Sequence, residues 1–283
     1  MRVLVTGAQG QLGTDIIAEF EKRKIDYIAT DINILDITDK NAVDYFFDNN
    51  GPTHVIHCAA YTAVDKAEED ESICRRVNVD GTSNLVDACK RLNLPMMYFS
   101  TDYIFGGEGD SPYKIDDPAN PLGVYAKTKY EGELKVITLD KFFIIRISWV
   151  FGKNGNNFIN TMMRLSEERD ELKVVNDQIG SPTYTKDLSV LVADMISTNK
   201  YGIYHASNEG FVSWYDFAKK IFELTGKTTK VIPVTTEEYN AKAHRPKNSR
   251  LDKSKLVEMG FNPLPTWQDA LQRYLKEKKW LKQ

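Results

Sequence analysis

The hydrophobic pattern of the first half of the chain alternates between two periods. Short β-branched or aromatic runs at residues 2–6, 27–30, 54–58, 96–100 and 142–147 read as strands, and the stretches between them carry helical spacing, as at residues 11–22. Strands alternating with helices make βαβ units. Their right-handed crossovers lay the strands side by side in one parallel sheet with helices on both faces. The pattern therefore predicts an α/β fold with a doubly wound, Rossmann-like parallel sheet. Beyond residue 150 it changes. GKNGNN and NDQIGSPTY are polar, glycine-bearing loops, and helices follow near residues 214–225 and 267–279. The chain divides at this point into residues 1–150 and a smaller part, 151–283, with segments such as 202–205 free to return to the main sheet.

Composition narrows the class. With 283 residues, 42% of them hydrophobic, the chain can bury a full core. A net charge of −3 and scattered basic residues leave no nucleic-acid footprint, so the expected partner is a small molecule. No apolar run approaches membrane-spanning length, and MRVLVTGAQG reaches glycines too soon to hold the apolar core of a secretory signal. Cys58, Cys74 and Cys89 lack CxxC spacing, which argues against a disulfide framework and a zinc site and for a reducing cytoplasm. His54 and His57 have no second ligand at metal spacing and read as structural. The acidic run of residues 68–71 reads as a solvated face.

Candidate chemistry begins at VLVTGAQGQLG, which sets Gly7, Gly10 and Gly13 at GxxGxxG spacing between the first strand and the first helix. Glycines let a backbone approach a pyrophosphate, and the helix N-terminus meets its charge. Residues 1–150 are thus expected to bind a dinucleotide and 151–283 a substrate. Asp31 follows the second strand at close to the spacing, about 20 residues from the fingerprint, of a carboxylate that accepts ribose hydroxyls. It would repel a 2′-phosphate, and no Arg or Lys follows it in DINILD, so NADH is favoured with NADPH left open. Asp at a strand end is also an ordinary turn former. At the end of the third strand, Ala59 and Ala60 are small enough for a dinucleotide to lie on the backbone; close helix packing would explain them equally.

Tyr125 and Lys129 lie four apart in VYAKTKYEGEL, on one face of a helix. The spacing alone decides nothing, because Tyr215 with Lys219 and Tyr274 with Lys278 share it. Position favours Tyr125, whose helix follows Thr101 at the ligand-facing end of the fourth strand. Thr101 would hold a carbonyl, Tyr125 would protonate its oxygen, and a nicotinamide would give the hydride. A tyrosine with an ordinary pKa of about 10 needs its phenolate stabilised for this work. Lowering that pKa by about three units takes roughly 4 kcal/mol, expected from Lys129 and the positive ring of oxidised cofactor acting together in a desolvated site.

The segments TGAQGQLG, STDYIF, YAKTK and RISWVFG, with CAAYTAVDKAE, NDQIGSPTY, GIYHASNEG and RPKNSRL in the same order, resemble the extended short-chain dehydrogenase/reductase family and, within it, the dTDP-4-dehydrorhamnose reductases. The resemblance spans nearly the whole chain. It implies Thr101, Tyr125 and Lys129 as the catalytic triad. It implies cofactor contacts from Gly10, Gln11, Leu12, Asp31, Asp36, Ile37, Ala60, Tyr61 and Thr62, with Asp36 and Ile37 at the adenine. Thr101, Asp102, Tyr103 and Trp149 would touch substrate, and Arg245 would anchor the nucleotide diphosphate through its planar fork. Plainer readings stay open: Trp149 as core, Arg245 as one half of a surface ion pair, and Asn78 as a helix-to-core hydrogen bond rather than a support for Lys129.

Some members of the family dimerise through magnesium held by acidic side chains. Here only Asp15 matches such a position and Lys186 stands in another, so no metal is expected, and the chain is expected as a monomer or weak homodimer. The activity implied is reduction of the 4-keto group of dTDP-4-dehydro-L-rhamnose by NADH or NADPH in the synthesis of cell-surface sugars. Alternatives are another nucleotide-sugar ketoreductase, an epimerase or dehydratase on the same fold, and a non-catalytic cofactor-binding subunit resembling the regulatory subunit of methionine adenosyltransferase.

Overall fold

A computed structural model describes residues 1–282. Its centre is a six-stranded sheet of β1 (Arg2–Thr6), β2 (Asp26–Thr30), β3 (His54–His57), β4 (Met96–Thr101), β5 (Phe142–Ile147) and β6 (Gly202–His205). Their spatial order is β6-β5-β4-β3-β1-β2, and every neighbouring pair is parallel. The fold class is the one expected. One boundary differs from the sequence pattern in a way that matters, and one segment left open there finds its place. β4 runs one residue further, which puts Thr101 on the strand itself, and residues 202–205 do return, pairing with β5 as an edge strand.

The period-2 alternation of β1 explains the layering. Val3 and Val5 pack on one face with Ile56, Met97 and Tyr204, while Leu4 packs on the other with Val55, Tyr98 and Ile144. Helices cover both faces: α1 (Gln11–Arg23), α2 (Lys40–Asn50), α3 (Thr82–Leu92), α4 (Val124–Val136) and, past α5 (Phe158–Glu168), which packs in a separate core, α6 (Thr185–Ile196). α1 and α6 share one cover layer, with Ile16 and Phe20 joining Leu188, Leu191 and Val192 in a single apolar cluster. Two later helices, α7 (Trp214–Thr225) and α8 (Trp267–Glu277), close that separate core around Phe151, Tyr184, Phe217 and Tyr274.

β1 pairs with β2 on one side and β3 on the other. Chain order reverses at β1, which leaves a crevice at the carboxyl ends of these strands, where open α/β sheets bind ligands. The helix that carries Tyr125 and Lys129 is set there by two buried or capped contacts. Glu133 on α4 forks onto Arg146 of β5, at 3.1 Å to Nε and 3.0 Å to Nη2, with both side chains out of water. At the other end the Glu68 carboxylate accepts the Val124 N–H at 2.8 Å, where a helix N-terminus favours negative charge. Glu68 is thus a cap as well as part of the exposed acidic face expected for residues 68–71.

Candidate active site

The turn after β1 is shaped by close approach. Gly7 has φ +64°, and a Cβ there would come within 2.6 Å of the Ala59 nitrogen; a Cβ on Gly13 would strike the Gly7 carbonyl and sit 2.8 Å from the Ala8 Cα. α1 begins at Gly10 with no side-chain cap. Its first N–H groups are left for a ligand, and this is the arrangement that holds a phosphate. The turn fits the pyrophosphate of a dinucleotide.

Beyond it opens a cavity of about 430 Å³. Gly7, Gly10, Gln11, Leu12 and Gly13 line one end; Ala60 and Thr62 follow β3; Thr101, Asp102, Tyr103, Tyr125, Lys129 and Trp149 are among the residues that line the remainder. The other candidates lie around it. Asp31 clasps the glycine turn, accepting from the Gln9 N–H at 3.1 Å and from its own neighbour Ile32 at 2.9 Å. Asp36 accepts from Thr38 N and Oγ1 and stiffens its own turn, while Ile37 is buried in the sheet's second core. Ala59 backs Gly7. Tyr61 is held by Asn78, whose side chain takes the Tyr61 N–H at 2.8 Å and donates to the Tyr61 carbonyl at 3.1 Å. Arg245 donates to Asp65 at 2.7 Å.

Asn78 sits in a π-helical turn, Arg76–Gly81, and also donates to Thr128 Oγ1 at 3.1 Å. It thus links the segment after β3 to α4 through Thr128. No direct bond to Lys129 is involved.

The catalytic candidates form one group, with Thr101 and Lys129 buried and Tyr125 half-buried at the cavity wall. Thr101 Oγ1 donates to Asp102 Oδ1 at 3.0 Å and accepts from the Tyr103 N–H at 3.2 Å, and the Tyr125 phenol lies in the same group. Burial pushes the Tyr125 phenol above its ordinary value, the Thr101 contact pulls it back, and the Asp102 charge adds to the rise. The lowering expected of Lys129 is not among these influences; its ammonium lies 4.0 Å from the Tyr98 ring centroid. Burial brings Lys129 down to about 7, against the pull of Glu133. Burial also raises Asp102 to about 6, and its Oδ2 has no hydrogen-bond partner.

A family model described as the RmlD substrate binding domain matches residues 1–280. The chain belongs to the RmlD family. It is 43% identical to the dTDP-4-dehydrorhamnose reductase of Aggregatibacter actinomycetemcomitans, over 95% of this chain and 97% of that one. A crystal structure of a dTDP-4-dehydrorhamnose reductase from Clostridium acetobutylicum superposes with a TM-score of 0.96 at 42% identity, covering 99% of this chain and all of the other. One from Bacillus anthracis, solved in complex with NADP, superposes at 0.94 and 42% identity, covering 98% and 99%. This RmlD-family chain is an NAD(P)H-dependent oxidoreductase.

The two other Tyr–Lys pairs of the RmlD-family chain lie away from the cavity. Tyr274 is buried in the C-terminal core, its hydroxyl donating to Asn160 at 2.7 Å, and Lys219 lies 5.1 Å from the Tyr215 ring on α7. Around Asp15, Thr185 donates to the carboxylate and Lys186 pairs with Glu277 at 2.8 Å. An ammonium inside the donor set opposes a divalent cation, so this cluster does not fit the metal that some family members carry. No helix among the described residues is long and apolar enough to cross a membrane.

Beyond the apolar Val64, Phe99, Ile147 and Val150, two further lining residues have no signal in the sequence. Asn156 comes from the GKNGNN loop, which closes on the fingerprint: Gln11 Nε2 donates to the Asn156 carbonyl at 3.3 Å, and Asn157 Nδ2 donates to Gln11 Oε1 at 3.1 Å. Trp214 opens α7 and stacks on Trp149. Neither position has a pattern that points at the cavity from sequence alone.

Proposed function

We propose that the chain reduces the 4-keto group of dTDP-4-dehydro-L-rhamnose to give dTDP-L-rhamnose, with Tyr125 as proton donor. The observation that carries the reading is the grouping of Thr101, Tyr125 and Lys129 at the end of β4, in one cavity with the Gly7 to Gly13 turn. The substrate is that of the named relatives.

A bound reduced nicotinamide supplies the hydride. The protein's own residues do the rest. Tyr125, kept protonated by burial, is in the form that gives a proton to the carbonyl oxygen as negative charge develops there. Thr101, whose hydroxyl draws the Tyr125 pKa down, would stabilise the phenolate that remains. Lys129, poised near 7, adds positive charge to the same buried space. The first turn of α1 would hold the pyrophosphate and Asp31 the adenosine ribose; the carboxylate of Asp31 favours NADH, with NADPH open.

Loss of NADH or NADPH absorbance on addition of dTDP-4-dehydro-L-rhamnose tests the reading. Continuous, stoichiometric oxidation with formation of dTDP-L-rhamnose supports it. Binding of cofactor without net oxidation overturns it and points to an epimerase, a dehydratase or a non-catalytic binding subunit.

A further inference from the structure

Trp149 holds a backbone conformation that a bulky side chain rarely adopts, φ +48°. Such strain persists only where the surroundings fix it, and it gathers at ligand sites. Here the surroundings can be named. The Trp214 indole lies on that of Trp149 with ring centroids 3.6 Å apart and planes 12° from parallel, and Phe158 packs on Trp214 at 4.4 Å. Gly180 closes in as well: a Cβ there would come within 2.9 Å of Trp149 Cε2 and 3.0 Å of Cζ2. Both indoles line the cavity and both are only partly buried, so one side of the pair is cavity wall while the other packs on the C-terminal core.

Three distant segments converge to build this grip. Ile179–Gly180 pairs with Val212–Ser213 on one side and Asn248–Ser249 on the other, in a three-stranded patch. Ser213 then caps α7, accepting from the Asp216 N–H at 2.9 Å, and this fixes the helix start on which Trp214 stands. On the other side, Ile147 of β5 is in register with Thr101, so Trp149 leaves the sheet two residues past the catalytic strand's partner position.

We propose that Trp214 is a positioning residue for the sugar: it fixes the strained Trp149 indole as a wall of the sugar pocket. The proposal rests on the reductase reading above. The face it serves is that of a hexose ring, whose C–H groups pack on an aromatic plane while its hydroxyls meet Thr101 and Asp102.

The test compares Trp214→Ala, Trp214→Phe and Gly180→Ala with the wild type. Two stacked indoles give an exciton couplet in far-ultraviolet circular dichroism, so loss of the stack is read independently of activity. Trp214→Ala is expected to lose the couplet, keep cofactor affinity and lose about tenfold in kcat/KM for the ketosugar, mainly through KM; Trp214→Phe recovers most of this loss. Gly180→Ala displaces the same indole from its other contact and gives a similar KM effect even if Trp214→Ala does not fold. A lost couplet with unchanged KM and kcat overturns the proposal, as does equal loss of cofactor affinity without rescue by phenylalanine. If the wild type turns over no ketosugar, the reductase reading fails separately. Trp214 is then judged on affinity for dTDP-L-rhamnose, and an unchanged affinity in Trp214→Ala overturns its role.

Discussion

Thr101 gives its one hydroxyl proton to Asp102, at 3.0 Å, and the same hydroxyl draws down the pKa of the neighbouring Tyr125 phenol. A hydroxyl can donate once. While Asp102 is ionised it competes with Tyr125 for that donor; once Asp102 is protonated, Thr101 is free to turn to a phenolate. The groups facing Asp102 are Thr101, Ser249, Tyr103 and Tyr125, none of them cationic. With Asp102 raised to about 6, kcat should take a first downward step as pH rises through that value, ahead of the alkaline limb set by loss of the Lys129 ammonium near 7. Asp102→Asn should flatten this first step. The stability consequence has the same sign: a carboxyl whose pKa is raised by folding loses stability as pH rises through the folded value, so the gap between Asp102→Asn and wild type should widen in favour of the variant from pH 4 to 7, by about 1–3 kcal/mol. Equal pH profiles for the two proteins would dismiss the competition.

Tyr125→Phe removes the phenolic oxygen and little else. The ring stays in its edge contact with Tyr103, centroids 5.8 Å apart. Cofactor affinity should therefore hold within about twofold while kcat falls by about 10²–10⁴, the range for loss of a general acid. Stopped-flow turnover and cofactor fluorescence separate the two quantities. Turnover near the wild-type rate would remove Tyr125 from the mechanism.

How far such a site is legible beforehand depends on the length of the elements that build it. β1, β3 and β5 carry four to six residues of alternating or continuous apolar character, and their sheet follows from that pattern. The position of Thr101 and Tyr125 follows in turn from chain order on a parallel sheet. The substrate side is different. Val150–Phe151, Ile179–Gly180, Val212–Ser213 and Asn248–Ser249 are two-residue strands paired across long separations. Two residues hold no period, so the meeting of Trp149 with Trp214 has no trace in local sequence. Arg245 shows the same limit: an arginine suited to phosphate is visible, but its partner Asp65 lies 180 residues away.

His57 should govern part of the protein's acid sensitivity. Its ring is buried between Thr6 Oγ1 at 2.8 Å and Thr82 Oγ1 at 3.1 Å, and burial, with the Lys129 charge behind it, lowers its pKa to about 3. A histidine depressed by folding contributes stability that is complete above its unfolded value of about 6.5 and is lost as pH falls from there toward 3. Denaturant midpoints should fall steadily below pH 6.5, and His57→Gln should shallow that slope while lowering stability at pH 7. A slope unchanged by the substitution would mean that other groups, His205 first among them, carry the effect; His205 is lowered to about 3 by its own burial.

Glu133 joins the fold to the chemistry most directly. It is one turn beyond Lys129 on α4, its carboxylate holds Arg146 through two bonds, and its charge opposes the fall of the Lys129 pKa. Glu133→Gln keeps the shape and removes the charge. It leaves Arg146 in the core without its counter-charge, which should cost about 3–5 kcal/mol. With the negative charge gone, Lys129 should titrate below about 7, so the ammonium is lost earlier as pH rises and the alkaline limb of kcat should move to lower pH. Arg146→Met separates the two roles: it breaks the same pair but leaves Glu133 to face Lys129. That variant should match the stability loss without the leftward move of the limb. If both substitutions move the limb alike, the shift follows from loosening of α4 and not from the carboxylate's charge.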